Sequence, residues 1–360
     1  MSRLAAAIAL ASLTTACDAS TPAPGCPTGV LVVTETPDYS ASGVGVLPLE
    51  GTPADILFGS ELGTDPALAT SASRHFFIAR DLDKIFETDP CGRAIGQYSA
   101  RAVGESGPTN PQDVAVASDG SLWVARFDVP SALVIPTSGP VTTIDMSAFS
   151  PTGNPTMSSV RIIGSKAYFA LGRLTSEADG NYQSILPSQI VVLDTMSLAV
   201  VTTVTLVGQN PIGLMVEDSG KLWLADVGNI FDPPQPTQGV EVFDTATNKS
   251  TLLLSGTTLG GAVVEVAVNG TCGAAIIAND TTANNTWLVS FSVDGSNLAT
   301  TLQPTAGYDL RGLFWTSTGQ LLLGDETVLA VHTFTPGPTC ALAQGPDLPL
   351  PSMPALAFAN

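Results

Sequence analysis

Seven places in the 360-residue chain bring a charged or amide side chain to the end of a short apolar run: Glu35, Arg80 with Asp81, Arg126 with Asp128, Arg173, Asp226, Asn279 with Asp280, and Asp325 with Glu326. If those ends converge, their oxygens suit Ca2+ or another hard cation, which takes six to eight oxygen ligands. Asp226, Asp280 and Asp325 are the first candidates for such a site. In the competing arrangement the acids pair with Arg80, Arg126 and Arg173 across neighbouring units, and water fills the space between. Other chemistry has little support, because the chain lacks G-x-S-x-G, C-x-x-C, H-E-x-x-H and P-loop patterns. Asp81 and Asp83 form one D-x-D without the spacing of a calcium loop. His75 opens a strand near the opposite face and His332 lies inside another, so both read as packing residues placed away from the ring.

The elements that must position these residues are repeated. Residues 110–126, NPQDVAVASDGSLWVAR, return as NPIGLMVEDSGKLWLAD at 210–226. Each copy is an Asn-Pro entry, an alternating strand, a tight Gly turn and a second strand. The same nine-residue offset joins Pro111 with Gly120, Pro155 with Gly164, Pro211 with Gly220, Gly261 with Gly270 and Leu310 with Gly319. A copy at Pro66 keeps the strand pair but lacks the glycine, and 354–360 repeat only the first strand. Starting points spaced by 44 to 56 residues, with period-two alternation and no sustained helical period, predict an all-β, seven-bladed β-propeller of four-stranded antiparallel blades. Residues 28–49 supply strands without a leading first strand, so joining 354–360 to them completes a blade and closes the ring. Trp123 and Trp223, at equivalent second-strand positions, are expected to pack between blades.

Residues 188–211 (SQIVVLDTMSLAVVTTVTLVGQNP) and 239–254 (GVEVFDTATNKSTLLL) resemble the YVTN-type and NHL-like propeller repeats of bacterial surface and periplasmic proteins. The resemblance covers nearly all of the chain after its first residues and speaks to fold more than to activity. It implies a binding or scaffolding module for a protein or glycan partner. Propellers of related shape also include gluconolactonase-like enzymes and lyases with an acidic metal site or a His and Glu pair in the channel. Only the acidic version fits this chain, with Glu35, Asp226, Asp280 or Asp325 as ligands, and it stands as the alternative function. A quinoprotein-type dehydrogenase would need aromatic stacking groups that the ring lacks. Two long loops on the ring's face, 172–188 and 227–238, carry Tyr182, Ile185 and Phe231 and form the candidate partner patch.

Residues 1–17 read as an export signal, with Arg3, an apolar run too short to span a bilayer, and a lipobox-like site at Cys17. Lipidation of Cys17 or plain cleavage are its two outcomes, residues 18–27 are a Pro- and Ala-rich tether, and 28–360 are one propeller domain. The expected location is the periplasm or cell surface, with the membrane met only through the lipid. With 13 basic against 32 acidic residues, the formal charge of -19 repels nucleic acid and anionic lipid and keeps an exported monomer soluble. An oxidising compartment allows the cysteines to pair. In the propeller Cys26, Cys91, Cys272 and Cys340 all fall on the face of the first-to-second and third-to-fourth turns. A shared one-blade offset favours Cys26–Cys91 and Cys272–Cys340, with Cys26–Cys340 as the rival and free thiols as a further option.

Overall fold

The computed structural model describes residues 29–50, 55–176, 182–184, 186–229, 232–279, 285–307 and 309–359. Seven antiparallel sheets form the blades of a propeller, each built on four strands. The innermost strands of blades two to seven are Pro66–Ser71, Pro111–Val116, Met157–Ile163, Pro211–Asp218, Ala262–Asn269 and Leu310–Trp315. In blade one, Met353–Ala359 pairs with Gly29–Glu35, which in turn pairs with Ser42–Pro48. Blade seven carries an extra short strand, Leu348–Pro349, against its third strand.

Turn chemistry explains why the repeat folds this way. The five aligned turn glycines, Gly120, Gly164, Gly220, Gly270 and Gly319, all adopt positive φ between 60° and 84°, as tight hairpins require. Blade two lacks the glycine and places Ala72 (φ 51°) and Ser73 (φ 61°) in that region instead, at about 1–2 kcal/mol per residue. Between third and fourth strands the Asp-Thr turns do two jobs. Asp194 and Asp244 accept hydrogen bonds from the backbone N–H groups two and three residues on. Thr195 and Thr245 donate to the carbonyls of Ser165 and Gly220, tying each outer turn to the inner turn of its own blade.

The core is divided among the blade junctions. Among the described residues seven buried apolar clusters appear, each shared by two neighbouring blades. Trp123 and Trp223 are buried as expected. Each indole meets a Phe of the next blade: Trp123 lies 6.2 Å from Phe169 and Trp223 lies 6.4 Å from Phe291, between ring centroids. Truncating either would cost about 3–5 kcal/mol. The expected Cys272–Cys340 disulfide is present and joins blades six and seven. Cys91 is disulfide-bonded too; Cys26, its expected partner, lies outside the described residues, as does Cys17. No described helix is long and apolar enough to cross a membrane.

Candidate functional site in the central channel

The innermost strands line a central cavity of about 740 Å³. Their backbones are irregular in a repeated way: the register shifts within or against the innermost strand of every blade except the second. Such bulges leave backbone N–H groups without a partner in their own ladder. Here side chains of the preceding blade accept innermost-strand N–H groups, within the shift at Met215 and Gly312 and beyond it at Val116 and Val160. Ser71 Oγ accepts from Val116 N–H at 2.9 Å, Asp113 from Val160 N–H at 2.9 Å, and Ser159 Oγ from Met215 N–H at 3.0 Å. At the junction of blades six and seven, Glu265 accepts from Gly312 N–H (3.1 Å) and Leu313 N–H (2.7 Å).

Two of these acceptors carry charge, and their surroundings differ. Asp113 is fully buried and takes hydrogen bonds from Ser159 Oγ and from Arg161 Nη1, both at 2.6 Å. Arg161, which lines the cavity, therefore brings a guanidinium already neutralised by a partner. Glu265 also lines the cavity but has no cation bonded to it among the described contacts. Burial pushes its carboxyl up to about 7, against the two N–H donors and the more distant charge of Arg311, which pull it down. A carboxyl near 7 can both accept and return a proton at neutral pH. At the upper rim Arg80 lines the cavity, ion-pairs with Asp65 and donates to Gln112 Oε1 at 3.1 Å.

The architecture is shared with known structures. The periplasmic gluconolactonase of Pseudomonas aeruginosa is 16% identical with a TM-score of 0.58, over 92% of this chain and 99% of that one. A putative 6-phosphogluconolactonase of Bacteroides fragilis is 14% identical with a TM-score of 0.59, over 92% and 98%. A streptogramin B lyase is 13% identical with a TM-score of 0.56, over 82% and 90%. The chain is a propeller of this shape. At such identities the likeness is one of fold. No protein-family model matches the chain, and no curated protein does.

The residues expected to form one charged ring are held in separate contacts. Glu35 lies 4.0 Å from Arg311 across the closure, and burial raises its carboxyl although Arg311 opposes this. Arg311 also pairs with Glu326 at 2.7 Å. Burial lifts Glu326 to about 7 despite that arginine, helped by Glu35, Asp309 and Asp325. Asp81 accepts from the Thr64 amide and hydroxyl. Asp128 accepts from the Tyr182 hydroxyl at 3.3 Å. Arg173 donates to the carbonyls of Phe149 and Pro187, and Arg126 is buried against Glu105. Asp83 accepts from Thr109 and Asn110 of the next blade, so the D-x-D serves a blade junction. Asp280 lies outside the described residues. Among the described residues, no group of three or more His, Cys, Asp or Glu is close enough to hold a metal ion.

Asp226 is fully buried beside Glu241, which accepts from the N–H groups of Val207 and Gly208, both at 2.8 Å. Burial raises the Asp226 carboxyl well above its ordinary value, and the Glu241 charge adds to the effect. A neutral Asp226 sharing its proton with Glu241 accounts for this pair without a cation.

The placement of His332 away from the ring is corrected. His332 pairs in register with Leu323, two residues from Asp325 on the adjoining strand, so the period of two turns both side chains to one face. Its Nε2 lies 3.1 Å from Asp325 Oδ2 and its Nδ1 2.8 Å from Asp347. The bond to Asp325 raises the imidazole pKa, against burial and with help from Asp347. In the loop patch, Tyr182 packs edge-on against Phe127 at 5.1 Å, so the blade-four loop leans on blade three. Ile185 and Phe231 lie outside the described residues.

Proposed function

We propose that the protein is a channel enzyme of the hydrolase or lyase class that opens a lactone or related cyclic ester, with Glu265 as its acid–base group. The observation that carries this reading is a titratable carboxyl, without a bonded cation, on the wall of a 740 Å³ cavity. The shared shape with gluconolactonase and lyase propellers supports the class over a scaffold, at the level of fold. In hydrolysis, the Glu265 carboxylate takes a proton from water as the water oxygen bonds to the ester carbonyl carbon. That proton passes to the ring oxygen as the C–O bond breaks, giving the hydroxy acid and restoring the carboxylate. The Arg161 guanidinium supplies N–H donors to the same cavity, suited to the carbonyl oxygen where negative charge develops.

Export and lipid anchoring through Cys17 complete the proposal, supported by the character of residues 1–17 and by the Cys272–Cys340 disulfide, which fits an oxidising compartment. The YVTN-like or NHL-like ancestry of the repeat belongs to the same reading. The test is ring opening of a panel of lactones followed by pH-stat. Glu265→Gln should reduce turnover by about 10²–10⁴-fold, and wild-type kcat/KM should rise with pH through about 7. Full activity in Glu265→Gln would remove the assignment.

A further inference from the structure

The cavity wall has two unlike halves. Blades two to four present Thr70, Arg80, Gln112, Ser158 and Arg161 beside Leu68 and Ile162, whereas blades five to seven present mainly Ile212, Leu214, Val264, Leu313 and Phe314, with Glu265 and Glu217 as their charged groups. Because blades follow one another around the ring, the polar arc faces the apolar arc across the channel. Both arginines of the polar arc are already ion-paired, Arg80 with Asp65 and Arg161 with Asp113. Thr70, Gln112 and Ser158 are bonded to His75, Asn110 and the Ala170 carbonyl, so that arc offers a ligand guanidinium N–H donors of the two arginines, with little net positive charge. A phosphorylated ligand would find no uncompensated cation there, and the chain's formal charge of -19 would repel it.

From this the geometry points to an uncharged, amphipathic substrate: a cyclic ester bearing an alkyl or aryl body, whose carbonyl faces blades two to four and whose body lies on blades five to seven. A polyhydroxylated sugar lactone fits less well, since hydroxyls set against Leu214, Val264 and Leu313 would lose their water without gaining partners. A cavity of 740 Å³ is also of the size that encloses a drug-sized ligand. This assignment rests on the channel being the site proposed above, but binding tests it apart from turnover.

The experiment is calorimetric titration of the wild-type chain, freed of residues 1–17, with δ-lactams carrying alkyl chains of zero to six carbons. The lactams present the ring carbonyl and resist opening. Affinity should rise about fourfold per methylene, and Leu214→Asn should flatten the rise with chain length. Gluconolactam and a phosphorylated sugar lactam should bind more weakly than the hexyl probe. Affinity that is flat with chain length, preference for either sugar probe, or no binding by any probe would overturn the assignment. Graded lactam binding with no opening of the matching lactones would keep the amphipathic site and sink the catalytic reading. Opening of sugar lactones alone would do the reverse.

Discussion

Replacing Glu265 by Gln removes a titration while nearly keeping a shape. In the folded chain the carboxyl is held at about 7, against an ordinary 4.5. A raised carboxyl pKa stabilises the fold below the ordinary value, and that stabilisation is lost as pH rises through about 7. The displacement from 4.5 to about 7 corresponds to about 3 kcal/mol at 1.36 kcal/mol per pH unit. Glu265 opens partly onto the channel, and screening there reduces this to about 1–2 kcal/mol. For a domain of this size, at about 2.1 cal/mol/K of unfolding entropy per residue, that is a change in Tm of roughly 1.5–3 °C.

Scanning calorimetry of both proteins at pH 5, 6, 7 and 8 checks this. Glu326 and His332 are also raised, so the wild-type Tm should fall across this range for several reasons at once. Subtracting the variant isolates Glu265, and the wild-type fall should exceed the variant's by about 2 °C, most of it between pH 5 and 7 and levelling off above 7. At pH 5 Gln should be the less stable, because an amide accepts only one of the two N–H bonds from Gly312 and Leu313. Parallel curves over the whole range would refute the claim that this carboxyl is forced up by its site.

Two further predictions concern other junctions. A Cβ on Gly208 would stand 2.0 Å from Asp226 Oδ2 and 2.8 Å from Glu241 Oε2, so Gly208→Ala should split the carboxyl pair and cost about 1–3 kcal/mol, read as a lower urea midpoint at unchanged m-value. The double change Cys272→Ser with Cys340→Ser opens a loop of 68 residues and should remove about 4 kcal/mol; an unchanged midpoint under oxidising conditions would contradict it.

The fold was legible because its signals are local. A glycine nine residues after each entry, with alternation on both sides, describes a hairpin, and the positive φ at Gly120 and Gly220 is what those glycines supply. The site was less legible for a physical reason. Charged groups at second-strand ends attract notice, yet Asp128 and Arg173 spend their hydrogen bonds on neighbours, and Asp226 is held neutral beside Glu241, none of which sequence spacing reveals. The channel is lined instead by innermost strands, where bulges decide which side chain faces the cavity. Glu265 had left a trace: it is the one charged residue within AVVEVAVN, at a repeat position occupied by Ala115, Ser159 and Met215 in other blades.

Glu265 is more than a latch between blades. Four described junctions use a side chain to accept an innermost-strand N–H from the next blade, and two of them manage with the serines Ser71 and Ser159. Asp113 serves a third, and there Arg161 stands at 2.6 Å to balance its charge. Latching therefore needs neither a carboxyl nor an unbalanced charge. At the fourth junction Glu265 lines the cavity with no cation bonded to it among the described residues, and its ionised form is disfavoured by burial. A residue kept only for packing would be served at lower energetic cost by serine, or by an acid with an arginine beside it. An acid poised near neutrality in a ligand-sized cavity is the arrangement that proton transfer requires.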